Sequence, residues 1–353
     1  MKKLFALLMA ALLLVPAAGL SEAALTRIPG TLARSEIPVK AAYPDNAIPE
    51  GTSSTTGLPF TGVYAPVIIV VDNAPDAHPH WGVEQADVIY QVPNAGGGAT
   101  KLMALFADSA PQYAGGCRSA RTVFADVAYG WGAAFAFAGT PGEGVVKNAS
   151  VPERFRELGY RGSGLTFNLL SNNTVSHRVK WTTSPHNLSV HVAEIRDKVI
   201  ADGKTFTPRA FLFADALPTA GVPASFVEID HQGNPASHST FTYDAVSNSY
   251  TRANSSGPYV DRDNPGTPIP FANVLIQRVK MTTLTGGYVS IKDFVGTGAA
   301  EIFTGGRYIA GAWSKAANEA RTVFVDEQGN EVALQRGKTV IIITNDQTTV
   351  DYR

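Results

Sequence analysis

The stretch "APVIIVVDN" (65–73) constrains the fold more than any other in this chain. Its five consecutive apolar β-branched residues, Val67 to Val71, show no polar alternation. A strand with that pattern is covered on both faces, so the chain must supply a layer above and below its sheet. "ADVIYQV" (86–92), "TKLMALFAD" (100–108) and "AAFAFAG" (133–139) read as companion strands. Helical spacing intervenes: Val123, Phe124, Val127 and Trp131 share a face, and Val192, Ile195 and Val199 share another. Strands alternating with helices predict an α/β domain over 60–215, with a mainly parallel or mixed sheet.

The second half has a different grammar. "FTYDAVSNSYTR" (241–252) predicts two strands around a turn, and "NVLIQRVKM" (273–281) another strand. "RTVFVDEQGNEVAL" (321–334) predicts a hairpin, and "KTVIIIT" (338–344) a closing strand. No strong helical period follows residue 225, so a smaller, mostly β domain is expected over 224–347.

Lys2 and Lys3, the apolar run from Leu4 to Leu14, Pro16 and the small residues around Ser21 to Ala23 form a secretory leader over 1–23. Residues 24–59 are rich in Pro, Ser, Thr and Gly and read as a flexible linker. A secreted or extracytoplasmic location in a bacterial cell envelope follows, with no integral membrane domain after cleavage and no lipid-attachment cysteine at the cleavage site. One cysteine in 353 residues permits no internal disulfide, so the core must hold the fold. A formal net charge of −1 argues against a non-specific nucleic-acid partner.

Candidate chemistry concentrates in "AGGCRSARTV" (114–123). Gly115 and Gly116 allow a tight turn, Ser119 is a suitable N-cap, and Arg118 and Arg121 then flank a helix start. Cations there oppose the helix dipole, so a compensating anion is expected, from the protein or from a ligand. Among internal carboxylates, Asp72 and Asp87 are candidates, and Asp87 is favoured because it precedes a strand. Lys101, His186 and Asn187 complete the proposed ligand-binding set. Asn187 or Ser189 is alternatively expected to cap the helix after residue 190. His186 is the weak catalytic candidate, as a general acid or base.

Cys117 is a nucleophile candidate, since arginines and a helix start lower a thiol pKa. Its Gly-Cys-x-x-x-Arg context resembles the Ser-His-Gly-Cys-x-Arg segment of L,D-transpeptidases, but the histidine before the glycine is missing. The bland reading, a small buried residue, is preferred. His78, His80, Glu84 and Asp87 in "DAHPHWGVEQAD" (76–87) lack telling zinc spacing and read as a surface turn. Trp313 and Lys315 fit core or hairpin packing better than a sugar platform. No Gly-x-Ser-x-Gly elbow, P-loop or cysteine-pair metal site occurs, so no cofactor and no metal are expected.

Taken in order, "VIIVVDNAPDAHPHWGVEQADVIYQ" (67–91), "GGGATKLMALF" (96–106), "CRSAR" (117–121), "SPHN" (184–187), "YTR" (250–252), "VDRD" (260–263), "AWSK" (312–315) and "DEQGNEVALQRGKTVIII" (326–343) resemble the YerB-like family of bacterial extracytoplasmic lipoproteins. The resemblance implies an N-terminal and a C-terminal domain and leaves the biochemical activity open. It also implies an acid and an arginine where this chain has Ala95 and Lys101, and a histidine where it has the apolar 135–139 strand. Two functions are therefore carried forward. One is an accessory protein binding an anionic wall fragment or envelope protein through the arginine pair. The other is a wall-acting hydrolase or transferase using His186 or, less favoured, Cys117.

Overall fold

The computed structural model describes residues 23–34, 36–141, 146–171, 174–291 and 294–353. The leader expected over 1–23 lies outside them except for Ala23. In chain order the first half contributes β1 (Thr26–Ile28), β2 (Val67–Asp72), β3 (Val88–Pro93), β4 (Thr100–Phe106), β5 (Ala114–Gly115), α1 (Thr122–Trp131), β6 (Ala134–Phe137), α2 (Val151–Glu157), β7 (Thr166–Asn168), β8 (Ser176–Arg178), β9 (Leu188–Val190) and α3 (Val192–Ala201). The second half contributes β10 (Phe226–His231), β11 (Ser239–Asp244), β12 (Ser249–Asn254), β13 (Asn273–Arg278), β14 (Gly296–Thr304), β15 (Arg307–Lys315), β16 (Val323–Asp326), β17 (Thr339–Thr344) and β18 (Thr348–Tyr352).

A mixed sheet of eleven strands crosses the boundary between the halves. Its order is the short strand Val222–Pro223, then β15, β14, β13, β17, β3, β4, β2, β6 and β7, with β16 on β15. β13, β17 and β3 are mutually parallel, as are β2, β6 and β7. β4 is antiparallel to both β3 and β2, so these two sets run in one direction and end on one edge. The second sheet runs β1, β18, β10, β11, β12.

The apolar runs explain the layers. Odd residues of β2 (Val67, Ile69, Val71) pack with Ile195 and Val199 of α3 and with Val227, Phe241 and Tyr250 of the second sheet. Even residues (Ile68, Val70) pack with Val123, Phe124, Val127 and Trp131 of α1 and Phe155 of α2. Each such side chain taken from water contributes about 1.5–3 kcal/mol.

Several expectations need correction. The α/β label overstates the helices, because the chain is mostly β. Among the described residues the α-helices have only 10, 7 and 10 residues, and the β3–β4 connection is antiparallel, without a crossover helix. The strand expected to close the second domain lies between β13 and β3, and β18 follows it into the second sheet. The returning arm of the 321–334 hairpin leaves β16 after the Val325–Glu331 bridge, and Leu334–Gln335 pairs with Phe213–Ala214.

Residues 24–59 do not behave as a free linker. β1 pairs with β18. Ile37, Val39 and Tyr43 pack on Ala312, Val323 and Val325. Ser53, Thr55 and Thr56 donate to the Asp108 carboxylate at 2.7, 3.4 and 2.9 Å. The polar composition that suggested a tether supplies hydroxyl donors for one buried latch.

Candidate functional site

Asp72 ends β2, and the register of β2 with β4 sets it directly opposite Lys101. Lys101 Nζ lies 3.2 Å from Asp72 Oδ1, and both side chains are buried. Two further groups converge on the other oxygen: Arg118 Nε at 2.7 Å and His186 Nδ1 at 3.1 Å from Oδ2. The site is therefore one carboxylate facing a lysine, an arginine and an imidazole. It stands at the carboxyl edge of β2 and β6, where open sheets with parallel strands commonly bind ligands.

Local chain geometry brings these residues together. The 116–120 segment runs extended beside the end of β2. Asp72 N donates to Gly116 O, Arg118 N to Val70 O, Ala138 N to Arg118 O and Ala120 N to Gly139 O. A Cβ on Gly116 would lie 1.9 Å from His186 O, and one on Gly115 would lie 2.3 Å from the Trp81 ring. The glycine pair thus serves close approach, because it lets the His186 backbone sit against the strand that carries Arg118.

Electrostatics favour an ionised Asp72. Burial pushes its pKa up, but the Lys101 and Arg118 charges overcome that and hold it below the ordinary range. Burial also lowers Lys101, against the pull of Asp72. Arg118 retains 28% side-chain exposure, so the cluster presents positive charge to solvent.

The arginine pair divides. Arg121 donates from Nε to Asn94 O at 3.3 Å and from Nη1 to Ala120 O at 2.8 Å, and its guanidinium lies 5.8 Å from the Tyr288 ring centre. It is itself the residue preceding α1, with no side-chain cap, so Ser119 does not cap that helix. Asn187 is also elsewhere. Its Oδ1 accepts from Arg178 at 2.6 Å within the β8–β9 hairpin.

Asp87 is not the partner of the arginines. It precedes β3 and accepts from Ala107 N at 2.6 Å and Asp108 N at 2.9 Å. That is the amino edge of the sheet, whereas the arginines stand at the carboxyl edge. A six-residue strand at about 3.3 Å per residue separates the two edges.

Cys117 is also outside the site. It is buried in the core, its N donates to Leu188 O, and burial pushes its thiol up to about 12. Trp313 is likewise buried, with Nε1 donating to Arg278 O at 2.7 Å.

Sequence reasoning missed the polar network behind Asp72. His80 Nε2 donates to Asp72 O at 2.6 Å, and its Nδ1 lies 3.4 Å from Tyr259 Oη. Burial lowers His80 to about 4, so the ring is neutral near pH 7. Arg252 sits 4.9 Å from the Tyr259 ring centre and donates to Gln91 Oε1 and Ser239 Oγ at 3.0 Å. It is fully buried without a carboxylate partner among the described residues, and burial lowers it to about 10. The "YTR" motif that carries it was the available signal. The His78 and His80 rings lie 4.3 Å apart, tilted at 44°, while Glu84 accepts from Asn264. Among the described residues no three His, Cys, Asp or Glu side chains are grouped to hold a metal.

Family comparison places this architecture. The model of the "Protein of unknown function (DUF3048) N-terminal domain" matches residues 55–205, and that of the DUF3048 C-terminal domain matches 227–341. The chain belongs to the DUF3048 family. The DUF3048 boundaries fall where the two sequence grammars change, although the eleven-stranded sheet is common to both parts. The Bacillus subtilis (strain 168) protein named "Putative lipoprotein YerB" is 25% identical over 315 residues, covering 85% of this chain and 89% of that protein. A crystal structure of YerB from Bacillus subtilis shares the DUF3048 fold with a TM-score of 0.70 at 24% identity, covering 85% of this chain and 99% of that one. No helix among the described residues is long and apolar enough to cross a membrane.

Proposed function

We propose that this protein is an extracytoplasmic cell-envelope accessory protein that binds an anionic group of a wall fragment or envelope partner. The observation that carries this reading is the charge imbalance at Asp72. One carboxylate faces Lys101, Arg118 and His186, and Arg118 keeps an exposed face. A ligand carboxylate or phosphate over Arg118 would balance that excess and accept a guanidinium fork. The leader pattern and the lipoprotein name of the Bacillus subtilis relative support the location.

The test is calorimetric titration of the protein with a sugar-free anionic wall stem peptide and with inorganic phosphate. Saturable binding that Arg118→Ala abolishes agrees with the proposal. Binding that survives Arg118→Ala rejects it.

One observation favours a second reading, a wall-acting hydrolase or transferase. Asp72 Oδ2 lies 3.1 Å from His186 Nδ1, which sets the imidazole beside a carboxylate as a general acid or base. Arg118 would then stabilise developing negative charge. Cys117 has no part in it, because its buried thiol stays protonated. Unchanged muropeptide profiles after incubation with the protein reject this reading.

A further inference from the structure

A cavity of about 340 Å³ opens on the carboxyl edge beyond β3. The 93–100 turn of the first half forms one wall, and the 281–283 and 344–348 segments of the second half form the others. Glycine makes this junction possible. Gly98 has φ +73°, and a Cβ there would lie 1.9 Å from His231 O.

The wall chemistry differs from that around Asp72. Among the described residues no lysine or arginine lines the cavity. Thr282, Thr283, Asn345 and Gln347 offer hydroxyl and amide groups, while Met281 and Val289 form an apolar patch. Asp346 is the carboxylate in the lining. Such a wall suits an uncharged ligand with hydroxyls, an amide and one apolar face.

His231 supplies the second observation. It is 2% exposed, lines the cavity, and its Nε2 has no partner among the described residues. Thr344 Oγ1 donates to Thr348 Oγ1, and Thr348 Oγ1 lies 3.4 Å from His231 Nδ1. With Nδ1 accepting the Thr348 proton, the neutral ring carries its own proton on Nε2. Burial lowers His231 to about 3, consistent with a neutral ring. A buried donor without an acceptor is costly, and a ligand oxygen removes that cost.

The geometry points to a second binding site, for one neutral N-acetylated amino-sugar unit, in which His231 Nε2 donates to a sugar oxygen. Hydroxyls and amides of the 282–283 and 345–347 segments bond the remaining polar groups, and Met281 with Val289 takes the C–H face. The cavity volume is near the lower end for small-ligand pockets, which fits a single sugar ring.

The probe is N-acetylglucosamine, titrated into the full chain and followed by amide chemical shifts. The expected result is saturable binding with shifts at 95–98, 281–283 and 344–348. Thr283→Trp fills the cavity from an exposed rim position and weakens binding by at least roughly tenfold. His231→Leu does the same, and His231→Gln, which keeps a donor near Nε2, restores most of it. Should His231→Leu fail to fold, Thr283→Trp decides. Arg118→Ala leaves sugar binding unchanged, which separates this site from the anion cluster. No saturable binding, binding indifferent to Thr283→Trp, or loss of binding in Arg118→Ala would each overturn the inference.

Discussion

Asp72 and Lys101 oppose each other across the β2–β4 ladder, each side chain 7% exposed, with Nζ 3.2 Å from Oδ1. Their dependence on one another is unequal. Asp72 also has Arg118 and His186, whereas Asp72 is the one carboxylate paired with Lys101 among the described residues. Asp72→Asn therefore strands a buried ammonium and is expected to cost about 3–5 kcal/mol in urea unfolding. Lys101→Met leaves Asp72 with Arg118 and is expected to cost about 1–2 kcal/mol. Equal losses in the two variants would contradict this account.

The two arginines are expected to separate in binding. Arg118→Ala should weaken a bound anion by more than roughly tenfold. Arg121→Ala should weaken it much less, because its Nε and Nη1 are already committed to the Asn94 and Ala120 carbonyls. Calorimetry with the same anion on both variants checks this, and a larger effect at Arg121 would reject it.

How much of this was legible in the sequence depends on range. β2, β3, β4 and β6 were readable because an apolar run is a local property. Lys101, Arg118, Arg121, His186 and Asn187 were expected to share one site, with Asp87 as the carboxylate for the two arginines, whereas Arg121 and Asn187 bond elsewhere. Choosing Asp72 requires knowing that β2 and β3 run parallel, so that Asp72, which ends its strand, and Asp87, which precedes its strand, stand at opposite edges of the sheet. That is a fact of topology, not of local pattern. The 24–59 segment misled for a related reason. Ser53, Thr55 and Thr56 look solvated until Asp108 is brought beneath them.

Cys117 is predicted to be inert in the native state. With the thiol pushed up to about 12 and buried, iodoacetamide at pH 8 should modify it far more slowly than a free thiol and readily in urea. Labelling followed by mass spectrometry measures both. Native labelling at the free-thiol rate would refute the assignment.

Stability should depend on pH with two opposite signs. Burial, with Asp108 adding to it, pushes Asp87 from the ordinary 3.8 to about 6. The folded state then binds that proton more tightly, so Asp87's contribution declines as pH rises from 3.8 through about 6. Asp72 is held low; its contribution is present above the unfolded value and is lost as pH falls through the folded one. Asp87→Asn should flatten the decline between about pH 4 and 6 in thermal unfolding. An unchanged slope would show that Asp87 does not govern that window.

The N-terminal arm should behave as part of the fold. Thr56→Val removes a donor from Asp108 and is expected to cost about 1–2 kcal/mol. Deleting residues 23–59 should cost more, since it also removes β1 from β18. Urea unfolding measures both, and an arm deletion as stable as the full chain would contradict the docked description.

The position of β17 bears on how such a chain reaches its native state as it is synthesised. β3 has β17 as a neighbour, yet 245 residues separate the end of β3 from the start of β17. While the chain is emerging, its amino-terminal half presents an open, apolar strand edge. That edge stays uncovered until nearly the last residues arrive. Pairings this distant in sequence are slow to form. Nascent molecules will therefore need a holding chaperone, and residues 55–205 released alone will aggregate.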